Sequence, residues 1–575
     1  MELLLSALNK MLVYQSLLAS VNNHTASAIV GIGQINRSHF IAGLYKDCSR
    51  PIVILCSDDA AAKRLQSELK DFTGILPPVL PGKEFALYDS AAVSRGWEHK
   101  RLRQLYALKQ GKTPIQILPW SAMCQRTIPA ETLLSTAFSL TVGQSYQIDT
   151  LAQKLTDYGY SRCSVVEGVG QFAIRGGILD IYSPDTDHPV RGEFFGDELD
   201  TMGFFDPETQ RRVENIDTVT ILPAGETQPA LHPEGLSGLC NDLSYLIGKQ
   251  KRKKIPNIQL ISTLEKDLEK FENHIQNTAS DRYISLIYPE FATAADYIPE
   301  NAILILCDHG SLRRAADTST DELGLQLDSL LQSGLVAGEL CDFAAGWEDF
   351  CPQLENKTVV YTDSFGGASY PESSPPKMLL SANARQLPGY GGSMDTAAGD
   401  LAHYQKNKYA SLVLCGTQRR AEILQDILKE KGITASLCIP FSLMPQPGQI
   451  FLTDGTLPYG MEYPDSKLAV LTEGQLLSKP VRKQKPKKNA TNRQKLNSFT
   501  DLSPGDLVVH ENYGIGRFVA MEQMKIDGAV KDYIKIAYAG TDVLFVPATQ
   551  LDLVSKYIGN GGEDANVKLH KMGTE

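Results

Sequence analysis

The sequence lacks the features of several common protein classes. Its ten cysteines include no Cys-x-x-Cys pair, and no histidine stands at ligand spacing from a cysteine pair. A zinc site or a disulfide framework needs such clustering, so we expect buried free thiols in a reducing compartment and no metal site. No apolar run approaches the length of a membrane-spanning helix, and the start lacks the basic segment of a signal peptide. We therefore expect a cytoplasmic protein without a membrane partner.

An excess of positive charge is also missing. The 575 residues include 56 Lys and Arg and 67 Asp and Glu, which gives a formal net charge of -11. A uniformly basic surface for nucleic acid is therefore excluded, and any contact with double-stranded DNA has to be local. A dense basic run occupies 479–497, with eight Lys or Arg and no acid. It favours a flexible linker over 479–498, and a contact with DNA phosphates is the alternative.

The chain is too long for a single hydrophobic core. Strand-length apolar runs alternate with amphipathic helical patterns in much of it, which predicts multidomain α/β and α+β architecture with a parallel sheet. Between 141 and 225, strands that alternate apolar and polar residues predict an inserted α+β domain. Short strands rich in Val, Ile, Tyr and Phe after about 499 predict a small all-β barrel of the SH3 or Tudor type. The predicted division is an α/β domain in two parts (1–140 and 226–345), the insert (141–225), a small α/β domain (346–478), the linker (479–498), the barrel (499–560) and a final segment (561–575).

The stretch "SAIVGIGQINRSHFIAGL" has the order of parts of a phosphate-binding loop: an apolar strand, a glycine-containing loop and a helix. A working loop reads GxxxxGK[ST], because the glycines admit phosphate, the lysine reaches it and the hydroxyl holds magnesium. Gly31 takes the first glycine position, but Asn36, Arg37 and Ser38 occupy the last three. The Asn36 side chain would crowd the phosphate, and the planar guanidinium of Arg37 does not replace a compact ammonium group.

The acidic half of an ATPase site is altered as well. Such a site needs an Asp-Glu pair at the end of a buried strand, and the candidate is "ILILCDHG". Asp308 is present, but His309 stands in the Glu position. Since phosphoryl transfer depends on these groups, we predict that this site is inactive and that the chain holds no catalytic residue and no cofactor.

Three quoted motifs then point to a family. The stretches "FAIRGGILDIYSP", "PVRGEFFGDELD" and "DPETQRR" resemble a region shared by the excision-repair helicase UvrB and the amino-terminal part of the bacterial transcription-repair coupling factors (Mfd). "EFALYDSAAVSRGWEHKRLRQLYAL" is similar to an early segment of the coupling factors. "LSPGDLVVHENYGIGRFVAMEQMKIDG" resembles their RNA-polymerase-interacting domain, which is of the CarD type.

The resemblance implies a function and an organisation. The domain formed by 1–140 and 226–345 would be a degenerate UvrB-like domain, and the insert would recruit the repair protein UvrA. The barrel would bind the β subunit of RNA polymerase. In the family an ATP-dependent DNA translocase, with its ATP and magnesium, follows this region, so 561–575 would begin the linker to that motor. We therefore expect a non-catalytic recruitment platform; the alternatives are an active UvrB-like helicase subunit and a CarD-like transcription regulator.

The resemblance also implies site residues. Arg175, Arg191 and Phe195 match positions that the family uses to bind UvrA, and in an extended strand Arg191, Glu193 and Phe195 share one face. The alternative reading of the residues buries Phe195 in the core and pairs Arg191 with Glu193. We expect Arg191→Ala to abolish UvrA binding without lowering the melting temperature.

In the predicted barrel, Met524 lies where the family carries an apolar contact to polymerase. Methionine is apolar and adaptable, so it fits such a contact. The alternative is that Met524 caps the core of the barrel.

Overall fold

The computed structural model describes residues 1–88, 95–275, 277–366, 369–390, 393–477, 493–495, 502–510, 514–526, 529–539, 542–547 and 554–557. Within these residues the strands form four six-stranded sheets and one two-stranded sheet, with helices around the first three. The α-helices that it describes are Glu2–Ala7, Leu12–Asn22, Gln34–Asp47, Asp59–Thr73, Gly96–Lys109, Trp120–Met123, Ala130–Thr136, Ile148–Asp157, Gly235–Lys251, Ile258–Glu272, Ile284–Ile287, His309–Gln332, Trp347–Phe350, Met394–Lys406, Gln418–Glu430 and Glu473–Leu477. The predicted mixed α/β class is confirmed.

The first sheet, called the parallel sheet below, has all its strands in one direction. Two of its inner strands, "IVILC" and "ILILC", are continuous apolar runs and are buried along their whole length, as strands covered on both faces require. Across the sheet the order is Met378–Ser381, Ser27–Val30, Thr358–Asp363, Ile303–Cys307, Ile52–Cys56 and Ile115–Pro119. The predicted parallel sheet is therefore present.

The parallel sheet corrects one predicted boundary. Two of its strands, Thr358–Asp363 and Met378–Ser381, come from the region that the sequence assigned to the small α/β domain at 346–478. The small domain's own sheet begins only at Arg385. A domain boundary at 345 therefore cuts through the parallel sheet. The sequence could not show this, because a buried strand has the same hydrophobic pattern whichever sheet it joins.

The insert forms a mostly antiparallel sheet, called the insert sheet. Its order is Arg212–Asn215, Glu198–Phe205, Val190–Phe195, Ile178–Ile181, Gln171–Arg175 and Ser161–Arg162. Helix Ile148–Asp157 buries Leu151 and Leu155 in the same core as the apolar residues of one sheet face. The strands Phe138–Thr141 and Thr218–Ile221 pair with each other, which brings the two ends of the insert together.

A buried ionic network holds the end of the insert against the rest of the chain. The Lys83 ammonium lies 3.6 Å from Glu226 and 3.1 Å from Asp281, and Arg101 Nε lies 2.9 Å from Glu226. The side chains of Lys83, Arg101 and Glu226 are completely buried. Since a buried charge is costly without its partner, this network fixes the insert at residue 226.

The small α/β region forms a mixed sheet, called the second sheet. Its order is Arg385–Leu387, Gly460–Tyr463, Leu468–Thr472, Ala410–Leu414, Ile450–Thr453 and Ser436–Leu437. Side chains of this sheet and of the parallel sheet belong to one hydrophobic core, which also includes helix Gln34–Asp47. In that helix the buried His39 places Nδ1 2.8 Å from the Tyr463 hydroxyl and Nε2 3.1 Å from the Leu4 carbonyl oxygen.

The carboxy-terminal strands form an antiparallel sheet. Their order is Arg493–Lys495, Val554–Tyr557, Leu507–His510, Gly514–Ile526, Ala529–Ala537 and Val543–Pro547. Closure of this sheet into the predicted barrel remains a prediction. Met524 lies on strand Gly514–Ile526, opposite Lys531, but its side chain lies outside the described residues. The same holds for the basic run 479–497 apart from the backbone of Arg493–Lys495.

All ten cysteines are free thiols, and six of them are buried. In the described part of the chain no single helix is long and apolar enough to cross a membrane. One pair, Glu2–Lys10 and Leu12–Asn22, passes that test on length and composition together, although it bends by 92° at its break.

Candidate functional sites

The predicted nucleotide residues meet at the carboxyl ends of strands in the parallel sheet. We call Arg37, Ser38, Asp308, His309 and Asp363 the strand-end cluster. Asp308 and His309 follow strand Ile303–Cys307, and Asp363 ends the neighbouring strand Thr358–Asp363. The structure thus brings the two predicted halves of the site together and adds Asp363, which the sequence analysis missed.

The loop itself is shorter than a phosphate-binding loop. Gly31 adopts φ +81°, as the first glycine should, but the helix begins at Gln34. Asn36, Arg37 and Ser38 are therefore helical and buried, and do not curve around an open cradle. A Cβ added at Gly31 would collide with the Ala382 carbonyl oxygen, so the chain's own backbone packs tightly against this glycine.

Arg37 is turned towards the protein. Its Nη2 donates hydrogen bonds to Asp308 Oδ2 at 2.5 Å and to Ser364 Oγ at 3.2 Å. Burial lowers the pKa of Arg37, but the nearby Cys307 thiol and the Asp308 carboxylate outweigh burial and leave this pKa raised. Arg37 is therefore charged and committed to Asp308, where a working site would hold a lysine free to reach phosphate.

Ser38 and His309 are also paired within the protein. Ser38 Oγ donates to the Glu68 carboxylate, whose pKa is raised by burial. His309 Nδ1 lies 2.9 Å from both Asp363 oxygens, and its ring stacks on Tyr370 with centroids 4.4 Å apart. Burial raises the pKa of Tyr370 to about 12. Within the described residues, Arg37 Nε and His309 Nε2 are the two nitrogens of these side chains that are buried without a hydrogen bond.

The second site is on the insert sheet and is built around Asp180. This completely buried carboxylate accepts hydrogen bonds from Arg175 Nη2 at 2.6 Å, Arg191 Nε at 2.7 Å and Arg191 Nη2 at 2.9 Å. Two cations thus share one buried anion, and the fork of Arg191 meets it in bidentate geometry. The structure brings Arg175 and Arg191 together, through a residue that the sequence analysis did not single out.

Arg191 has further contacts within the insert besides Asp180. Its guanidinium stacks on Phe205 at 4.3 Å from the ring centroid, and it also donates to the backbone oxygen and the side chain of Gln210. The hydrogen bond to Asp180 raises the pKa of Arg191. Removing this side chain, of which only 18% is exposed, would leave buried Asp180 with one cation. The expectation that Arg191→Ala leaves the melting temperature unchanged therefore does not suit this geometry, because the residue also supports the fold.

Phe195 is in the opposite situation, since 85% of it is exposed. It ends strand Val190–Phe195 at a two-residue turn whose Gly196 has φ +63°, a value that suits glycine. The alternative that buried Phe195 in the core is wrong. Glu193 makes its ion pair with Arg212, at 3.9 Å, and Arg191 with Asp180, so the alternative pairing of Arg191 with Glu193 is also wrong.

A neighbouring turn completes this surface. The strands Gln171–Arg175 and Ile178–Ile181 turn at Gly176 and Gly177, and the Gly177 carbonyl accepts a hydrogen bond from the Phe194 amide at 2.7 Å. The two turns therefore lie side by side. We call Arg175, Gly176, Gly177 and Phe195 the turn surface, which places a half-exposed guanidinium near an exposed aromatic ring, a composition common in interface hot spots.

Comparison with known proteins places two domain families on the chain. The UvrB interaction domain matches residues 138–226, which contain the insert sheet and the turn surface. The CarD-like/TRCF RID domain matches residues 502–558, the carboxy-terminal sheet. The chain therefore combines a domain of an excision-repair protein with a domain of the CarD type.

The chain is also similar to longer curated relatives over most of its own length. The transcription-repair-coupling factor of Bacillus subtilis is 29% identical over 551 residues, which are 95% of this chain and 46% of that protein. Those of Staphylococcus epidermidis and Staphylococcus aureus are 32% and 28% identical over 82% and 95% of this chain. The chain belongs to the family of transcription-repair-coupling factors, as the motifs indicated, and spans less than half the length of these relatives.

Proposed function

We propose that this chain is a non-catalytic adaptor that connects RNA polymerase to excision repair. The carboxy-terminal sheet binds polymerase, and the turn surface of the insert sheet binds UvrA. The observation that carries this proposal is the exposed Phe195 on a sheet whose buried charges are paired within the chain.

The UvrA half of the proposal is supported by rigidity as well as exposure. Asp180 accepts hydrogen bonds from Arg175 and Arg191 and so holds both side chains in place. The ionic network around Glu226 holds the end of the insert. A rigid surface loses little conformational freedom on binding, so most of the contact energy is available for affinity. Arg175 remains 44% exposed and is therefore available to a partner's acidic group.

The polymerase half is supported by the CarD-like match and by the antiparallel strands that occupy it. We assign the contact to the polymerase β subunit, near Met524 on strand Gly514–Ile526. We further propose that these strands form a small barrel in which one strand keeps an unpaired edge, and that this edge contributes backbone hydrogen bonds to the partner.

The geometry of the strand-end cluster supports a role without ATP hydrolysis. Arg37 is paired with Asp308, His309 is paired with Asp363, and the Ala382 backbone packs tightly against Gly31. The alternative of an active UvrB-like helicase subunit needs these groups to be free for nucleotide. We assign ATP-dependent DNA translocation, with ATP and magnesium, to the portion of the longer relatives that this chain does not match.

The UvrA contact is tested by Phe195→Ala in the whole chain. Truncation of a hot-spot aromatic costs about 2 kcal/mol or more, so capture of purified UvrA should weaken about 30-fold. Thermal unfolding should be unchanged, because the ring makes no core contact. The matched control is Val213→Ala, since Val213 is an exposed apolar residue on the outer strand of the same sheet. Equal UvrA affinity of both variants would contradict the proposal.

A further inference from the structure

A helical hairpin outside both candidate sites carries a concentrated basic tip. Helices Gly235–Lys251 and Ile258–Glu272 pack against each other and are joined by residues 252–257. The sequence at the join is "KQKRKKIPN", and its five cations are exposed. We call Lys249, Lys251, Arg252, Lys253 and Lys254 the basic tip. Such a cluster is unusual in a chain whose net charge is -11.

The charge of the basic tip is only partly neutralised. Lys251 lies 2.6 Å from Glu265, and Lys249 and Lys253 lie 3.1 and 3.8 Å from Glu339. Five cations thus meet two carboxylates. In the part of the chain that the structure describes, Arg252 and Lys254 have no acidic partner. These two side chains are therefore available to anions outside the protein.

Exposed apolar side chains surround the basic tip. Ile255 and Ile258 are 86% and 81% exposed, and Tyr245 is 75% exposed. Tyr245 lies seven residues before Arg252, which places both on one face at the end of the first helix. Cations beside exposed aliphatic side chains suit a nucleic-acid groove, where cations contact phosphates and aliphatic residues press against the bases.

We propose that the basic tip binds duplex DNA, with Arg252 and Lys254 contacting backbone phosphates and Ile255 entering the minor groove. The contacts of Arg252 and Lys254 are to the backbone and carry no sequence preference of their own. Duplex DNA is preferred over an anionic membrane because the proposed partners of the chain work on DNA, and this choice rests on the proposed function. The tip is separate in sequence from the turn surface and from the basic run 479–497.

The test measures binding of the whole chain to a short fluorescein-labelled duplex by fluorescence anisotropy over a series of salt concentrations. Each phosphate contact contributes about 0.9 to the slope of log affinity against log salt, so Arg252→Gln with Lys254→Gln should lower the slope by about 1.8. Raising the salt from about 50 to about 200 mM should therefore weaken binding of the tip variant about tenfold less than binding of the unaltered chain. The matched control is Arg419→Gln with Lys429→Gln, which removes the same charge from another exposed helix, Gln418–Glu430.

The outcomes separate the possibilities. The basic run 479–497 is present in every variant, so its contribution cancels in the comparison. Equal slopes for the tip variant and its control would overturn the proposal. Binding to anionic phosphatidylglycerol vesicles that depends on Arg252 and Lys254, without a change in DNA binding, would overturn it in favour of a membrane. A failure of UvrA capture would not alter the DNA measurement, so the two proposals fail separately.

Discussion

The strand-end cluster and the turn surface use the same chemistry in opposite ways. Each depends on an arginine that binds an aspartate: Arg37 binds Asp308 within the strand-end cluster, and Arg191 binds Asp180 on the sheet that carries the turn surface. At the strand-end cluster the Arg37 guanidinium is engaged by Asp308, and the Ala382 backbone packs tightly against Gly31. On the insert sheet the ion pairs meet at the buried Asp180, and Phe195 of the turn surface stays exposed. Ion pairing therefore closes the first region and stiffens the second.

The largest expected effect is that of Arg191→Ala on the insert sheet. Loss of one partner from a buried ion pair costs about 3 kcal/mol, because Asp180 would stay buried with Arg175 alone. Hydrogen exchange of the strands between 171 and 205 should show this loss of protection. Arg175→Ala should cost less than about 1 kcal/mol, because Arg175 is half-exposed. Equal effects of the two variants would mean that Asp180 does not depend on Arg191. Ion pairing by Arg191 would then not be what stiffens the insert sheet.

The next effect is a loss of stability in acid around helix Gln34–Asp47, which carries Arg37 and Ser38 of the strand-end cluster. Burial lowers the pKa of His39 from 6.5 to about 4. Between these values the unfolded chain binds the proton and the folded chain does not, so stability falls as pH decreases from 6.5 towards 4. At pH 5 this effect of His39 lowers the free energy of unfolding by about 2 kcal/mol relative to neutral pH.

His39→Gln should remove this pH-dependent loss of about 2 kcal/mol in the free energy of unfolding. Hydrogen exchange of helix Gln34–Asp47 at pH 7 and pH 5, corrected for intrinsic rates, measures it. Glu68 has its pKa raised by burial and acts in the opposite direction, but it is present in both proteins and cancels. If the stability of both proteins depended on pH in the same way, the protonation of His39 would not be the cause of the acid sensitivity.

The smallest effect sharpens the closed character of the strand-end cluster. The double variant Asn36→Gly with Arg37→Lys restores the residue types of a phosphate-binding loop. It should lose about 1 kcal/mol of stability, because lysine cannot reproduce the guanidinium contacts with Asp308 and Ser364. Isothermal titration with magnesium-ATP should still show no binding, because residues 36 to 38 are buried within a helix and do not form an open cradle. Binding by the double variant would show that the two substitutions alone closed the site.

The sequence predicted the elements of the fold better than their grouping. Runs such as "ILILC" identify buried strands, and the glycine loop after Val30 identifies the start of a helix. The strands Thr358–Asp363 and Met378–Ser381 were assigned to the wrong sheet, because hydrophobic pattern reports burial and does not report which strands pair. The shared core between the two sheets was missed for the same reason.

The candidate sites were predictable in part. Arg175, Arg191 and Phe195 were named from family motifs, and alternation along "VRGEFF" placed Arg191, Glu193 and Phe195 on one face, away from Val190 and Phe194 in the core. The partner Asp180 was missed, although an acid inside the apolar run "ILDI" is a signal of a buried ion pair. Asp363 and Glu68 are distant in sequence from the residues that they bind, so spacing gave no sign of them.

The shared core between the parallel sheet and the second sheet has a practical consequence for dissecting the chain. Met461, Tyr463, Leu468 and Val470 face the same interior as helix Gln34–Asp47, so a shortened protein starting after residue 381 would expose these four side chains to water. Such a piece would be prone to aggregate, whereas one ending near 477 would keep both sheets and the helix between them.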